Sequence, residues 1–298
     1  MKPSVNREFE IERPSPLLEF LFSVLKGQSR TSVKSLLAHQ QIRINGRICT
    51  QFDAPLQKSD RVTVCFDKQN KPFRHPLLEI VFEDDYLIAV HKKAGLLSMA
   101  NDRIKEKTAY HILSDYVKKA DPRNLIFILH RLDRDTSGLM IFAKSREIQE
   151  ELQSNWNQAV IERKYVAVVE GTLPQAQGTL KSYLSEDGNY FIHSSDIPGG
   201  KLAITHYRVL KSNKQYSLVE LDLETGRKNQ IRVHMQSLNH PICGDRKYGA
   251  RTNPLHRLAL HAFKLHFIHP VTHRDIDLET PVPKAFTLLV KNRISASK

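Results

Sequence analysis

At 298 residues the chain is long enough for about two domains, and its 40% hydrophobic and 26% charged content allows a substantial core. Forty-five Lys and Arg against 32 Asp and Glu leave a formal charge of +13, which favours a polyanionic partner: RNA, DNA or anionic lipid. Three scattered cysteines, Cys49, Cys65 and Cys243, argue against a disulfide framework, and neither a secretory leader nor an apolar run of membrane-spanning length is visible. A cytoplasmic protein without membrane association is the expectation.

Residues 1–12 read as a polar tail. Ser15-Pro16 then offers an N-cap and a first helical residue, Gly27 offers the stop, and Leu17, Leu21, Val24 and Leu25 fall at helical spacing. A second helix is expected over Ser32–Gln41, burying Val33, Leu36 and Leu37. Gln41–Ile48 alternates like a strand and turns at Asn45-Gly46, a strong hairpin signal, and Arg61–Phe66 adds another strand. Arg30, Lys34, Arg43 and Arg47 project from this unit, taken as residues 13–66. Residues 67–76 are polar, carry two prolines and read as a linker to a larger domain over 77–298.

In the larger part, Glu79–Phe82 and Tyr86–His91 read as strands around an acidic turn, and Thr108–Lys119 as a helix ended by Asp121-Pro122. Leu125–Leu129 and Leu139–Ala143 read as strands buried on both faces, joined by the polar run His130–Gly138, whose Thr136-Ser137-Gly138 is a turn signal. Charges lifted into the connection of two buried strands are not needed for stability. A carboxylate there, flanked by arginines and walled by Leu132, suits an anionic substrate, although a solvated hairpin loop fits the local pattern equally well. Ser145–Asn157 reads as a helix. Glu162–Gly171, Gly178–Leu184, Ala203–Leu210, Tyr216–Leu223 and Arg257–His266 read as strands, with a helix from near Asn229 and a terminal one over Pro283–Asn292. Arg232 lies beside the buried stripe of the Asn229 helix and needs a carboxylate partner, since an unpaired charge at a core edge is costly. Many strands, few helices and no βαβ alternation predict an α+β domain with a mixed, mostly antiparallel sheet.

The motifs His130-Arg-Leu-Asp133-x-x-Thr-Ser-Gly138, Asp85–Leu96, Lys164-Tyr165, Thr225-Gly-Arg-x-x-Gln230-Ile-Arg232-Val-His234, His240–Gly249 and Leu258–Ala262 resemble, in order, those of the RluA family of RNA pseudouridine synthases. Lys93 and Asn229 depart from the family pattern, which has proline and often histidine there. The helix-hairpin unit resembles an S4-like RNA-binding domain, a common companion of that family's core.

The resemblance implies an isomerase that flips a uridine out of structured RNA and exchanges its C–N glycosidic bond for C–C. Asp133 would stabilise or trap C1′, or take a proton from C2′; the sequence leaves both routes open. Arg232 would pair with Asp133, Tyr165 would stack against the uracil and assist removal of its C5 proton, and Leu260 would floor it. Arg131 would fill the vacated stack, while Arg227, Gln230 and His234 would bind substrate. Arg30, Lys34, Arg43 and Arg47 would bind RNA. Ribosomal RNA is favoured over transfer RNA as substrate, and a monomer is expected. No redox change or energy input is involved, consistent with the lack of GxGxxG and GxxxxGK[ST] loops, so no cofactor is implied. The C-terminal histidines match no zinc spacing, so no metal is expected. Two other classes fit less well. A non-catalytic RNA-binding factor has no use for Asp133, Tyr165 and Arg232 together, and a hydrolytic N-glycosidase wants a second carboxylate, for which only Asp135 is near.

Overall fold

The structure, a computed structural model, describes residues 6–38, 41–65, 73–100 and 107–291. Most of the expected linker, the end of the second helix, and the end residues Phe66 and Asn292 lie outside these. The chain divides into two compact units, Met1–Phe73 and Arg74–Lys298.

The first unit contains β1 (Arg7–Glu10), β2 (Ser15–Pro16), α1 (Leu17–Val24), α2 (Arg30–Ala38), β3 (Ile42–Ile44), β4 (Arg47–Ile48), β5 (Pro55–Leu56) and β6 (Arg61–Val64). Its main sheet runs β1-β6-β3-β4, so the expected polar tail over residues 1–12 is corrected: Arg7–Glu10 pair with Arg61–Val64 and Ile11 is buried in the unit's core. The helices pack Leu17, Leu21, Val33 and Leu37 with Ile42, Val62 and Val64, an apolar core of the unit's own. Asn45 and Gly46 both have positive φ, at 51° and 79°, as a tight two-residue hairpin turn requires. Pro16 is the extended residue before α1 and not its first helical one, because Ser15–Pro16 pairs with Pro55–Leu56. Arg30, Lys34 and Arg47 are exposed. Arg43 is half-buried and donates to the Gly46 carbonyl at 3.3 Å.

The second unit contains β7 (Leu78–Glu83), β8 (Leu87–Lys92), α3 (Ala109–Ala120), β9 (Phe127–Ile128), β10 (Ser137–Ala143), α4 (Arg146–Ser154), α5 (Trp156–Ala159), β11 (Val160–Glu170), β12 (Gln177–Glu186), β13 (Ile192–Ser195), β14 (Lys201–Ser212), β15 (Tyr216–Leu223), α6 (Gln230–Ser237), β16 (Leu260–Ile268), β17 (Asp275–Glu279) and α7 (Lys284–Leu289). Eleven strands form one sheet, ordered β13-β12-β14-β15-β11-β16-β10-β8-β7, with β17 added on β16 and β9 on β10. The β10–β16 pairing is parallel, and every other pairing in the sheet is antiparallel. The unit is α+β with a mixed, mostly antiparallel sheet.

Every residue of β10 is buried, so its unbroken apolar run fits a strand covered on both faces. The run before the polar loop behaves otherwise. Only Phe127 and Ile128 are strand, and Leu125 is 52% exposed, so the expected doubly buried strand over Leu125–Leu129 is corrected to a two-residue bridge onto the end of β10. Gly138 is also not a turn. It sits inside β10 at φ +123°, opposite Ala262, and a Cβ there would lie 2.1 Å from the Ala262 carbonyl oxygen. Glycine is required because two backbones meet at the parallel junction.

Helix caps hold the connections in place. Thr108 caps α3 by accepting from the His111 N–H, and Ser145 caps α4 by accepting from the Ile148 N–H. The expected helix Ser145–Asn157 breaks at Asn155, so Trp156 opens a separate short helix leading into β11. Ile231 and Met235 of α6 pack with Val168, Leu218 and Leu258 in the sheet's main core.

Candidate active site

The polar loop 130–136 leaves β9, returns into β10, and is gripped from beneath. Lys92, at the end of β8, is fully buried. Its Nζ donates to the carbonyl oxygens of Leu96 at 2.8 Å, Arg134 at 3.0 Å and Lys93 at 3.3 Å. Burial pushes its pKa down to about 7, and the negative charges of Asp135 and Asp133 pull the other way. The Ser98 hydroxyl donates to the Leu132 carbonyl at 2.6 Å and accepts from the Leu132 N–H at 3.1 Å. Segment 92–98 thus fixes both ends of the tripeptide that carries Asp133.

Asp133 sits at the lip of a cleft of about 380 Å³. The remaining walls come from distant elements: Tyr165 from the middle of β11, Leu260 from the start of β16, and Arg227, Asn229 and Arg232 from the turn and helix after β15. Arg131 and Leu132 complete the rim. Arg232 Nη1 donates to Asp133 Oδ2 at 2.9 Å.

The same guanidinium is held by a second carboxylate. Arg232 Nε and Nη2 donate to the two oxygens of Asp245 at 2.7 and 2.8 Å, and the Asp245 side chain is 1% exposed. The Asn229 amide oxygen accepts from Arg232 Nη1 at 3.2 Å, and its Nδ2 donates to the Tyr248 hydroxyl at 2.9 Å. The Tyr248 ring lies 4.9 Å beneath the guanidinium. Burial works against the charge on Arg232, but its bonds to Asp245 and Asp133 outweigh burial and hold its pKa above the ordinary value. Asn229 has φ +55°, a left-handed conformation that asparagine tolerates better than most residues, and it turns the chain from β15 into α6. Burial raises the Tyr165 pKa, with Arg163 and Asp133 acting in opposite senses behind it, so the phenol stays protonated at neutral pH.

Two expected substrate contacts are redirected. His234 is 1% exposed and does not line the cleft; its ring bonds to Thr205 Oγ1 at 2.8 Å and Ser182 Oγ at 3.1 Å. Two helical residues beyond Arg232 rotate the side chain by about 200°, toward the sheet. Gln230 does line the cleft, but its amide is fully used inside the protein. Its Oε1 accepts from Thr225 Oγ1 and the Arg227 N–H, and its Nε2 donates to the Ile204 carbonyl and Thr205 Oγ1. Gln230 therefore shapes the turn that presents Arg227, whose own Nε donates to the Leu202 carbonyl at 3.0 Å.

Asp245, Asn229 and Lys92 were assigned no role from sequence. Asp245 lies in a turn-rich loop whose pattern signals only a bend, and the signal that could have found it was the unmet need of Arg232 for partners. Of the C-terminal histidines, His261 bonds to Ser137 and Thr280, His266 to Asp275 and His269 to Asp84. Among the described residues no group of three His, Cys, Asp or Glu is placed to hold a metal ion.

Residues 86–237 match the family model described as RNA pseudouridylate synthase. The chain is 35% identical over 273 residues to the uncharacterized RNA pseudouridine synthase YhcT of Bacillus subtilis, covering 89% of this chain and 90% of that one. It belongs to the RNA pseudouridine synthase family. The ribosomal large subunit pseudouridine synthase D of Escherichia coli K12 is 30% identical, covering 88% of this chain and 86% of that protein. The human RNA pseudouridylate synthase domain containing 4 shares the fold, with a TM-score of 0.57 and 23% identity over 70% of this chain and 90% of the human one. This pseudouridine synthase acts on RNA as an isomerase, and among its described residues no helix is long and apolar enough to cross a membrane.

Proposed function

We propose that this synthase converts uridine to pseudouridine in ribosomal RNA of the cytoplasm, as a monomer, with Asp133 at the reacting sugar. The supporting observation is the Asp133–Arg232 ion pair at the lip of a cleft walled by Tyr165 and Leu260. Breaking the glycosidic bond sends its electron pair to N1 of the uracil and builds positive character at C1′, which the Asp133 carboxylate either binds or relieves by taking the C2′ proton. The freed base rotates between Tyr165 and Leu260 until C5 faces C1′; the C1′–C5 bond forms as the Asp133–C1′ bond breaks or as Asp133 returns the C2′ proton, and the C5 proton then passes to water while N1 takes one up. A protonated Tyr165 acts as wall and hydrogen-bond partner in this scheme and not as a standing base.

The uridine reaches the cleft by leaving its stack, at a cost of about a few kcal/mol. Exposed Arg131 beside Asp133 is positioned to fill the gap. Arg30, Lys34, Arg43 and Arg47 of the first unit, read as an S4-like RNA-binding domain, and the +13 charge supply phosphate affinity. The ribosomal assignment draws on the name of the 30% identical synthase D. Mapping pseudouridines in total RNA of a deletion strain tests it. Loss of a site in ribosomal RNA is expected, and loss confined to transfer RNA would overturn the ribosomal substrate.

A further inference from the structure

Behind Tyr165 lies a second, larger cleft of about 1060 Å³. It shares Arg131, Tyr165, Leu223 and Arg227 with the reactive cleft, so one wall separates the two. Its far side carries Trp156, Arg163, Gln153 and Asn157. Three guanidiniums thus face one carboxylate, that of Glu224, and its Oε1 bonds to His206 Nε2 at 2.6 Å.

The cationic and aromatic surface there is built in place. Arg163 Nη2 donates to the carbonyls of Leu223 at 3.2 Å and Glu224 at 3.3 Å, and its guanidinium lies 5.9 Å from the Trp156 ring. A Cβ at Gly226 would lie 2.7 Å from Arg163 Nη1, so glycine there leaves the room that the guanidinium occupies. Arg163 therefore has little side-chain freedom left to lose when a ligand arrives.

We propose that this cleft is a second nucleotide subsite, which holds an unpaired RNA nucleotide adjoining the uridine in the reactive cleft. The proposal rests on the RNA-modifying reading above. Taking one base out of a stack unstacks its neighbour too. An unstacked base is stabilised by aromatic and guanidinium surfaces, and its phosphate by arginines. The cleft offers both, and it is the larger of the two. The subsite would read the sequence or looseness of the RNA next to the target.

Trp156 is the only tryptophan in the chain, so its emission reports on this cleft directly. The full-length protein is titrated with decauridylate, following Trp156 emission and, separately, the anisotropy of end-labelled decauridylate. Emission is expected to change and saturate over the same concentrations as the anisotropy. Asn157→Glu, at an exposed position on the rim, is expected to weaken decauridylate binding by about tenfold through repulsion of phosphate. Oligonucleotide binding with Trp156 emission unchanged, an unaltered affinity of the Asn157→Glu variant, or no binding of decauridylate at all would overturn the subsite. Failure of the RNA-modifying reading shows elsewhere, as absence of tritium release from [5-³H]uridine-labelled RNA, and would leave a positive titration standing.

Discussion

Arg232 binds two carboxylates at once, and their burial assigns them different parts. Asp133 lines the cleft, while Asp245 is sealed behind the guanidinium with both oxygens engaged. Asp245 therefore fixes the height and angle at which Arg232 meets Asp133. Asp245→Asn is expected to lower kcat on the order of 10²-fold with RNA affinity little changed, since ångström-scale misplacement of a reacting group costs about that much. Single-turnover kinetics beside a binding isotherm check this, and an unchanged kcat would remove Asp245 from the positioning of Arg232. Buried histidines carry a second residue-scale prediction. Burial pushes the pKa of His234 down to about 4 and of His261 to about 3, with His91 and Arg257 adding to the effect at His261. Between those values and 6.5 the unfolded chain binds protons that the folded protein refuses, so stability falls as pH drops below about 6.5. The loss is about 1.4 kcal/mol per pH unit for each imidazole at most. Urea unfolding at pH 7 and pH 5 should show the decline, and equal stabilities would contradict it.

At the scale of elements, the site depends on the junction where β10 and β16 run parallel inside an otherwise antiparallel sheet. Gly138 permits the close approach, and the Ser137 hydroxyl joins Arg257 Nη2 at 2.8 Å to His261 Nδ1 at 2.8 Å directly beside it. Gly138→Ala combines a strained φ with a backbone clash and is expected to cost about 3 kcal/mol, measurable as a lower urea midpoint. Wild-type stability would show that the junction yields. This region also marks how far sequence could be read. Leu139–Ala143 was legible because an unbroken apolar run fits a doubly covered strand. Thr136-Ser137-Gly138 read as a turn because glycine's local meaning is a bend, and only a strand 124 residues away reveals the close approach. Strands β13 and β17 were missed for a related reason. Asp275–Glu279 alternates, but it is short, acidic and exposed on one side, and its strand character comes from pairing with β16. At the site, Asp133, Tyr165, Arg131, Arg227, Arg232 and Leu260 were legible from their motifs, and all six line the cleft. His234 points elsewhere because a motif records which residues occur together, not which way a helix turns them, and Gln230 lines the cleft with its amide already engaged by Thr225, Arg227, Ile204 and Thr205.

For the whole molecule, the first unit has its own apolar core and the second builds the cleft entirely from its own strands, loops and helix α6. The net charge of +13 spread over the chain supplies attraction to phosphate, which weakens as salt rises. In the proposed reaction the chemistry falls to one carboxylate, Asp133, whose neighbours Leu132 and Arg134 are held by Ser98 and Lys92 and which pairs with Arg232. Binding and turnover should therefore separate cleanly when that carboxylate alone is neutralised. The most direct measurement is tritium release from [5-³H]uridine-labelled ribosomal RNA by the full-length protein and by Asp133→Asn, with RNA affinity determined for both. Release by the wild type, none by the variant and nearly equal affinities are predicted. Release by Asp133→Asn, or none from any cellular RNA by the wild type, would contradict the account.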